Sequence, residues 1–351
     1  MASRRVIQRH FSTALELIEC LSPSRGFGGL DYRSERWLYR GHGSERYELV
    51  PSAFRSYTLL PFDGEWLPAP LPTHRMQIGA EVELVRQFFS IADAQGLAIP
   101  EDSQTMRRIL RDLHDLVGDE RHNAAVLWPP PELWSLLAIC QHHMLSTRLL
   151  DWTWNSYVAA YFAATDAVIR VRAMESAGKE ILLRDENLAV IAMRTDIIEQ
   201  RTAPGRKQGV YMVTVPTAGN PNLRAQRGVF LLQIPRPVHV DDYFDVVPYD
   251  KLALSRRSVA GDAPLLIKFT IPLIEADELL RLLAKENVTA ASLFPGWDGV
   301  VRAMNESRYW PALTRWRDSE QGIAAGAYQS SLMRQDTPSE RRDRRKARRH
   351  K

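Results

Sequence analysis

Residues 141–152 read QHHMLSTRLLDW, so Gln141, His142, His143, Thr147, Arg148, Asp151 and Trp152 are threaded among leucines. So many hydrogen-bonding side chains in an otherwise apolar stretch suit three arrangements: a metal site, a buried structural network, or a binding pocket built partly from such a network. The metal reading fails on geometry. Successive helical side chains point about 100° apart, so His142 and His143 do not readily share one ion. Cys140 and His143 are three apart, but no carboxylate or further histidine completes a spacing such as HExxH. No metal is expected.

The arginines are stronger candidates. Arg148 lies in this stretch, and Arg40 stands in a second polar cluster, Tyr39-Arg40-Gly41-His42. A guanidinium stays charged, and its planar fork matches phosphate or carboxylate. Burying it unpaired is expensive, so an anion has to meet it. Asp151 is the internal candidate. Either an Arg–Asp brace ties the YRG segment to the TRLLDW turn, or Asp151 holds one arginine while the other faces a pocket. On the second reading Asp151 and one histidine brace the fold. Arg148, Arg40 and the neighbouring polar groups then line the pocket. His142 or His143, titrating near neutral pH, would carry a proton there.

Those residues need elements to position them. RVIQRHFSTALELIECL places Val6, Ala14, Leu15, Ile18 and Leu21 near one stripe and predicts a first helix. RWLYRGH, residues 36–42, reads as a short buried strand stopped by Gly41 and Gly43. Pro-rich stretches at about 61–74 and at 129–131 predict loops. Between them, Val82, Val85, Phe88, Phe89 and Ala92 predict a packed helix over 81–94. Leu133 to Met144 has helical spacing, TRLLDW reads as a turn or short strand, and Asn155 or Ser156 can cap a helix through VAAYFAA. LAVIAMR, GVYMVTV, GVFLLQI and PLLIKFTI then read as strands, and IEADELLRLLAKE as a helix. The expected class is α+β: N-terminal helices, then a strand-rich, mostly antiparallel sheet that can be split in two.

The chain is long enough for one large core, and its 45% hydrophobic and 25% charged residues are ordinary for a globular protein. No apolar run reaches the ~18 residues of a membrane span. The start, MASRRVIQRHF, has no apolar h-region, and two cysteines, Cys20 and Cys140, give no disulfide framework; a cytoplasmic setting is expected. The net charge of +4 is concentrated at one end: residues 337–351 hold eight Lys or Arg against Glu340 and Asp343, a net of +6, which leaves −2 for residues 1–336. That tail is expected to be disordered, either as a solubilising end or as a contact to nucleic acid. Residues 311–336 are expected to form a weakly structured extension.

Taken together, YRGH, the following YELVPSAFR, QHHMLSTRLLDWTWNSYVAAYFAA, NLRAQRGVFLL and SLFPGWDG resemble the FRG domain family of bacteria, archaea and phages. Tyr39-Arg40-Gly41 stands where that family has its naming Phe-Arg-Gly, and Met144 and Ser146 stand where its turn has Gly and Pro. The resemblance places a single domain over 1–310. By analogy, an aromatic-Arg-Gly strand is also similar to the opening strand of arginine-type mono-ADP-ribosyltransferases. That analogy implies a cleft of their kind, with NAD as substrate. Arg40 would clamp the pyrophosphate, with Tyr39 or Trp152 stacking on a base. The place of those enzymes' acceptor-orienting glutamate falls in RAQRGVFLL, where Gln226 stands with Gly228 close by. A glutamine can hydrogen-bond a ribose hydroxyl but is no carboxylate base.

Two kinds of function therefore compete. One is an NAD-directed, ADP-ribosyltransferase-like or glycohydrolase-like enzyme. In that reading His142, His143 and Gln226 sit at the chemistry, and Tyr39, Arg40, Gly41, His42, Gln141, Thr147, Arg148, Asp151, Trp152 and Gly228 bind the ligand. The other is a non-catalytic nucleic-acid-binding or ligand-sensing module of a prokaryotic, phage-defence type system. Both expect a nucleotide or another anionic small molecule as ligand and no membrane partner.

Overall fold

The computed structural model describes residues 6–23, 37–55, 59–62, 65–118, 128–177, 186–195, 198, 209–216, 220–234, 242–254 and 264–307. The 311–336 extension and the basic tail lie outside these residues.

The chain is α+β, and its first element is a strand. β1 (Val6–His10) precedes α1 (Ala14–Leu21), where a first helix was expected to begin at Val6. Thr13 decides the boundary: its hydroxyl accepts from the Glu16 amide while Glu16 reaches back, a reciprocal cap that starts the helix late. β2 (Trp37–His42) follows as predicted. The first Pro-rich stretch, expected as a loop, carries a small hairpin of β3 (Leu59–Phe62) and β4 (Glu65–Pro68). A two-stranded ribbon tolerates proline because half of its backbone amides face no partner. α2 (His74–Ala94) begins a turn and more before the predicted start, capped by Thr73.

α3 (Gln104–Gly118) and α4 (Trp134–His142) lead to β5 (Leu149–Thr153) and to the long α5 (Ser156–Ser176), whose first turn Asn155 caps through the Tyr157 amide at 2.9 Å. Next come β6 (Asn187–Arg194), β7 (Gly209–Val213), the short α6 (Pro221–Ala225), β8 (Gly228–Ile234), α7 (Tyr249–Leu254) and β9 (Leu266–Pro272). α8 (Ala276–Lys285), α9 (Ala290–Leu293) and α10 (Trp297–Ser307) end the described chain. The Phe294–Gly296 part of FPGWDG turns, with Gly296 at φ 115°, and Asp298 falls in the first turn of α10.

Among the described residues, seven strands form one sheet in the order β1-β9-β6-β2-β5-β8-β7. It is mixed: β1 runs parallel to β9 and every other pairing is antiparallel. Side chains alternate across it. On one face, α1, α5 and α8 cover the half made by β9, β6 and β2, while α2, α3 and α4 cover the half made by β5, β8 and β7. The opposite face holds Leu38, Leu150, Trp152, Ile191, Val229 and Leu231, with Tyr249 of α7 and Leu49 packed on them.

The two halves meet weakly. β2 shares six register pairs with β6 but only Tyr39↔Thr153 with β5. Two helical layers sit over the two halves, and the strands beneath them diverge past that single pair. Gly41 lies where α5 presses on β2: a Cβ there would collide with the Ala159 carbonyl, so the Arg-Gly pairing has a packing reason.

Candidate functional site

Arg40 sits on β2 at this divergence, on the face opposite α5. Its Nη1 donates to the Asp151 carbonyl of β5 at 2.6 Å, in place of a backbone amide that the splayed ladder does not supply. Its Nε donates to Nε2 of His42 at 3.1 Å. That bond fixes His42 as the neutral tautomer with its proton on Nδ1. Burial, then the positive fields of Arg40, Arg55 and Lys268, hold the buried imidazole well below its ordinary range. Arg40 is also pulled below its ordinary pKa by burial, with Asp151 opposing.

The carboxylate of Asp151 lies 3.7 Å from Arg40 Nη1, with side chains 14% (Arg40) and 55% (Asp151) exposed. It is held instead by Gln141 Nε2 at 2.9 Å, and Gln141 in turn accepts from Thr147 at 2.6 Å. A polar chain thus runs from the buried Thr147 to the solvent-facing Asp151 and on to Arg40 and His42. Arg40 is braced but not neutralised by a tight carboxylate pair.

Arg148, expected at the pocket, is sealed elsewhere. Its Nε and Nη2 grip both oxygens of Glu81 at 2.6 and 2.9 Å, and Nη1 donates to the Trp128 carbonyl at 3.2 Å. Glu81 also accepts from Trp128 Nε1 at 2.8 Å and Gln77 Nε2 at 2.9 Å. Both side chains of the pair are 1–2% exposed. Glu81 was missed in the sequence, though a signal existed: it lies four after Gln77 and three and four before Leu84 and Val85, on the buried face of α2.

The other candidates divide. Tyr39 and Trp152 are buried core residues on opposite faces of the sheet. Trp152 Nε1 nevertheless has no hydrogen-bond partner among the described residues. His142 and His143 face each other edge-on at 5.4 Å; His142 stands 3.4 Å from Asn222 Nδ2 and His143 packs near Phe88. Among the described residues no cluster of His, Cys, Asp or Glu could hold a metal. Gln226 is the C-cap of α6, not a strand residue, and its amide donates to the Leu293 carbonyl at 3.1 Å while its backbone oxygen accepts from Thr153. Gly228 opens β8 opposite Thr153, against Leu223. Gln226 and Gly228 therefore join β5, β8 and α9, and the structure records no bond from them to Arg40.

Residues 35–169 match the family model described as FRG domain. An FRG domain is thus shown over residues 35–169. The match runs from β2 to α5 and includes Arg40, Gln141, Arg148 and Asp151; β1 and β6–β9, which share the same sheet, lie outside it. No curated protein and no solved structure matches the chain. No helix among the described residues is long and apolar enough to cross a membrane.

Proposed function

We propose that this FRG domain protein is an NAD-directed enzyme, ADP-ribosyltransferase-like or NAD glycohydrolase-like, working at the divergence of β2 and β5 around Arg40. The observation that carries the reading is a partly open guanidinium, pinned by a neutral histidine and a backbone carbonyl, with the Asp151 carboxylate 3.7 Å away, too far for a close pair. Such a cation is preorganised for an incoming anion.

In this reading Arg40 holds a phosphate of the dinucleotide and His42 aims its fork. The ribose C1′–N bond to nicotinamide breaks, and the bonding pair leaves with nicotinamide. The cationic sugar that develops is stabilised by the half-exposed Asp151 carboxylate. Water or an acceptor hydroxyl then bonds to C1′ and gives its proton to Asp151, which Gln141 orients. Gln226, tied to the Leu293 carbonyl, serves the scaffold in this scheme. His142 and His143 remain at the end of α4, without a step assigned.

Incubating the full chain with NAD and following nicotinamide release tests this. Wild type is expected to turn over, and Arg40→Gln to lose at least about a hundredfold in rate with its circular dichroism unchanged. No release by the wild type, with water or any offered acceptor, overturns the enzyme. Calorimetric NAD binding without release would make the same pocket a ligand sensor.

A further inference from the structure

A second cation shares Arg40's row of the sheet. Arg40 pairs with Ile191 of β6, and Ile191 pairs with Lys268 of β9, so Arg40 and Lys268 point to the same face two strands apart. At about 4.8 Å per strand their Cα atoms are roughly 10 Å apart, and both side chains are long enough to bring their heads together above Ile191. Lys268 is half-buried, and its ammonium donates to the Glu45 backbone carbonyl. Among the described residues no carboxylate lies within ion-pair distance of it.

Two partly buried cations of one row are therefore satisfied mainly by carbonyl oxygens, whereas buried charges are normally matched by opposite ones. The carboxylates that act on the cluster, Asp151 and Asp166, do so from exposed positions, and Asp166 accepts from the Gly43 amide. Arg55, whose Nε donates to the Val50 carbonyl, adds positive field at His42 along with Arg40 and Lys268. Arg40, Lys268 and Arg55 thus converge their positive fields on His42, and on the same face the buried Trp152 Nε1 is without a partner among the described residues.

We propose that Lys268 is the second cation of the Arg40 site and that the two together hold a diphosphate, two linked phosphoryl groups in one ligand. The proposal rests on the reading of Arg40 as a ligand-facing cation. It adds a residue outside the matched segment 35–169 and a reason for the site to prefer two phosphates over one. Arg40 takes one phosphoryl group with its planar fork, and Lys268 exchanges the Glu45 carbonyl for the other as a point charge.

Calorimetry on the full chain with inorganic pyrophosphate and with orthophosphate, beside the NAD assay, decides it. Wild type is expected to bind pyrophosphate at least about tenfold more tightly than orthophosphate. Lys268→Gln is expected to erase that preference and Lys268→Arg to keep it. If Lys268→Gln fails to fold, Lys268→Met, which keeps the apolar stem, is read in its place. Equal affinity of wild type for the two anions, or an unchanged preference after charge removal, overturns the proposal. NAD turnover together with that unchanged preference overturns it while leaving the enzyme reading in place. A pyrophosphate preference that depends on Lys268, without NAD turnover, supports the diphosphate site and sinks the enzyme reading alone.

Discussion

Arg40 and Arg148 flank the same strand, yet the molecule treats them in opposite ways. Arg148, just before β5, meets a carboxylate head-on, with two short bonds to Glu81 inside a closed ring of Gln77, Trp128 and Glu81. Arg40, across the divergence of β2 and β5, has one short bond to a carbonyl, one to an imidazole and a carboxylate at 3.7 Å. A fully matched guanidinium is architecture, because any ligand would have to displace a buried carboxylate. A guanidinium held by neutral acceptors keeps its charge available and its orientation fixed. The difference comes from strand pairing: α2 closes over the end of β5 with Glu81, while at the gap that Arg40 spans Asp151 is half exposed, bonded to Gln141 and 3.7 Å from the guanidinium.

The largest effect that can break this contrast is at Glu81. Glu81→Ala leaves Arg148 buried and unpaired, and takes the acceptor from Trp128 Nε1 and Gln77. Loss of about 3–5 kcal/mol in urea unfolding is expected. Replacing both partners, as in Glu81→Leu with Arg148→Met, is expected to recover most of it, since no charge is then stranded. Arg40→Gln is expected to cost only about 1–2 kcal/mol. A larger loss at Arg40 than at Glu81 would reverse the assignment of brace and site.

A smaller effect sharpens the contrast through pH. His42 supports Arg40 only as a neutral acceptor, and its folded pKa is held well below the ordinary 6.5. As pH falls below 6.5 the unfolded chain takes up a proton that the folded chain refuses. The stabilisation is therefore complete above that pH and is lost as pH descends towards the folded pKa. His74 and His142 shift in the same direction, mainly through burial. The unfolding free energy is expected to fall between pH 6.5 and 5, by up to about 1.4 kcal/mol per pH unit for His42, and the melting temperature with it. His42→Gln, whose amide oxygen can still accept from Arg40, is expected to flatten that slope; an unchanged slope would mean that His42 is not the neutral partner.

Much of this was legible in the sequence, and the failures have physical causes. β2, the strands β6 to β9 and the α5 cap were readable because buried strands are continuous apolar runs and Asn155 precedes a helical pattern. β1 was misread because VIQRH fits a helical stripe nearly as well as a strand, and the Thr13 cap together with its parallel pairing with β9 selects the second. The brace between the YRG strand and the TRLLDW turn was foreseeable from charge matching. Which arginine makes it was not. Arg148 lies three residues from Asp151, but in an extended strand their side chains leave opposite faces, and the partner of Arg148 is 67 residues earlier. Gln226 was placed by analogy where an acceptor-orienting residue would stand, whereas Asn220 and Pro221 start a short helix that ends at Gln226. Lys268 gave no local signal at all; its meaning comes from the register across β2, β6 and β9.

The smallest expected effect on stability is also the finest test of the comparison. Asp151→Asn removes a charge that is half exposed and 3.7 Å from Arg40, while leaving the backbone carbonyl that makes the short bond. A pair that far apart, with its carboxylate half in solvent, contributes little, so the unfolding free energy is expected to change by less than about 1 kcal/mol. The amide can still accept from Gln141, so the local chain of bonds persists. A carboxylate that takes the acceptor's proton cannot be replaced this way, and nicotinamide release is expected to drop about a hundredfold or more. If release persists at the wild-type rate in Asp151→Asn but vanishes in Arg40→Gln, Asp151 only steadies the cation, and the proton must leave by another group on the same open edge.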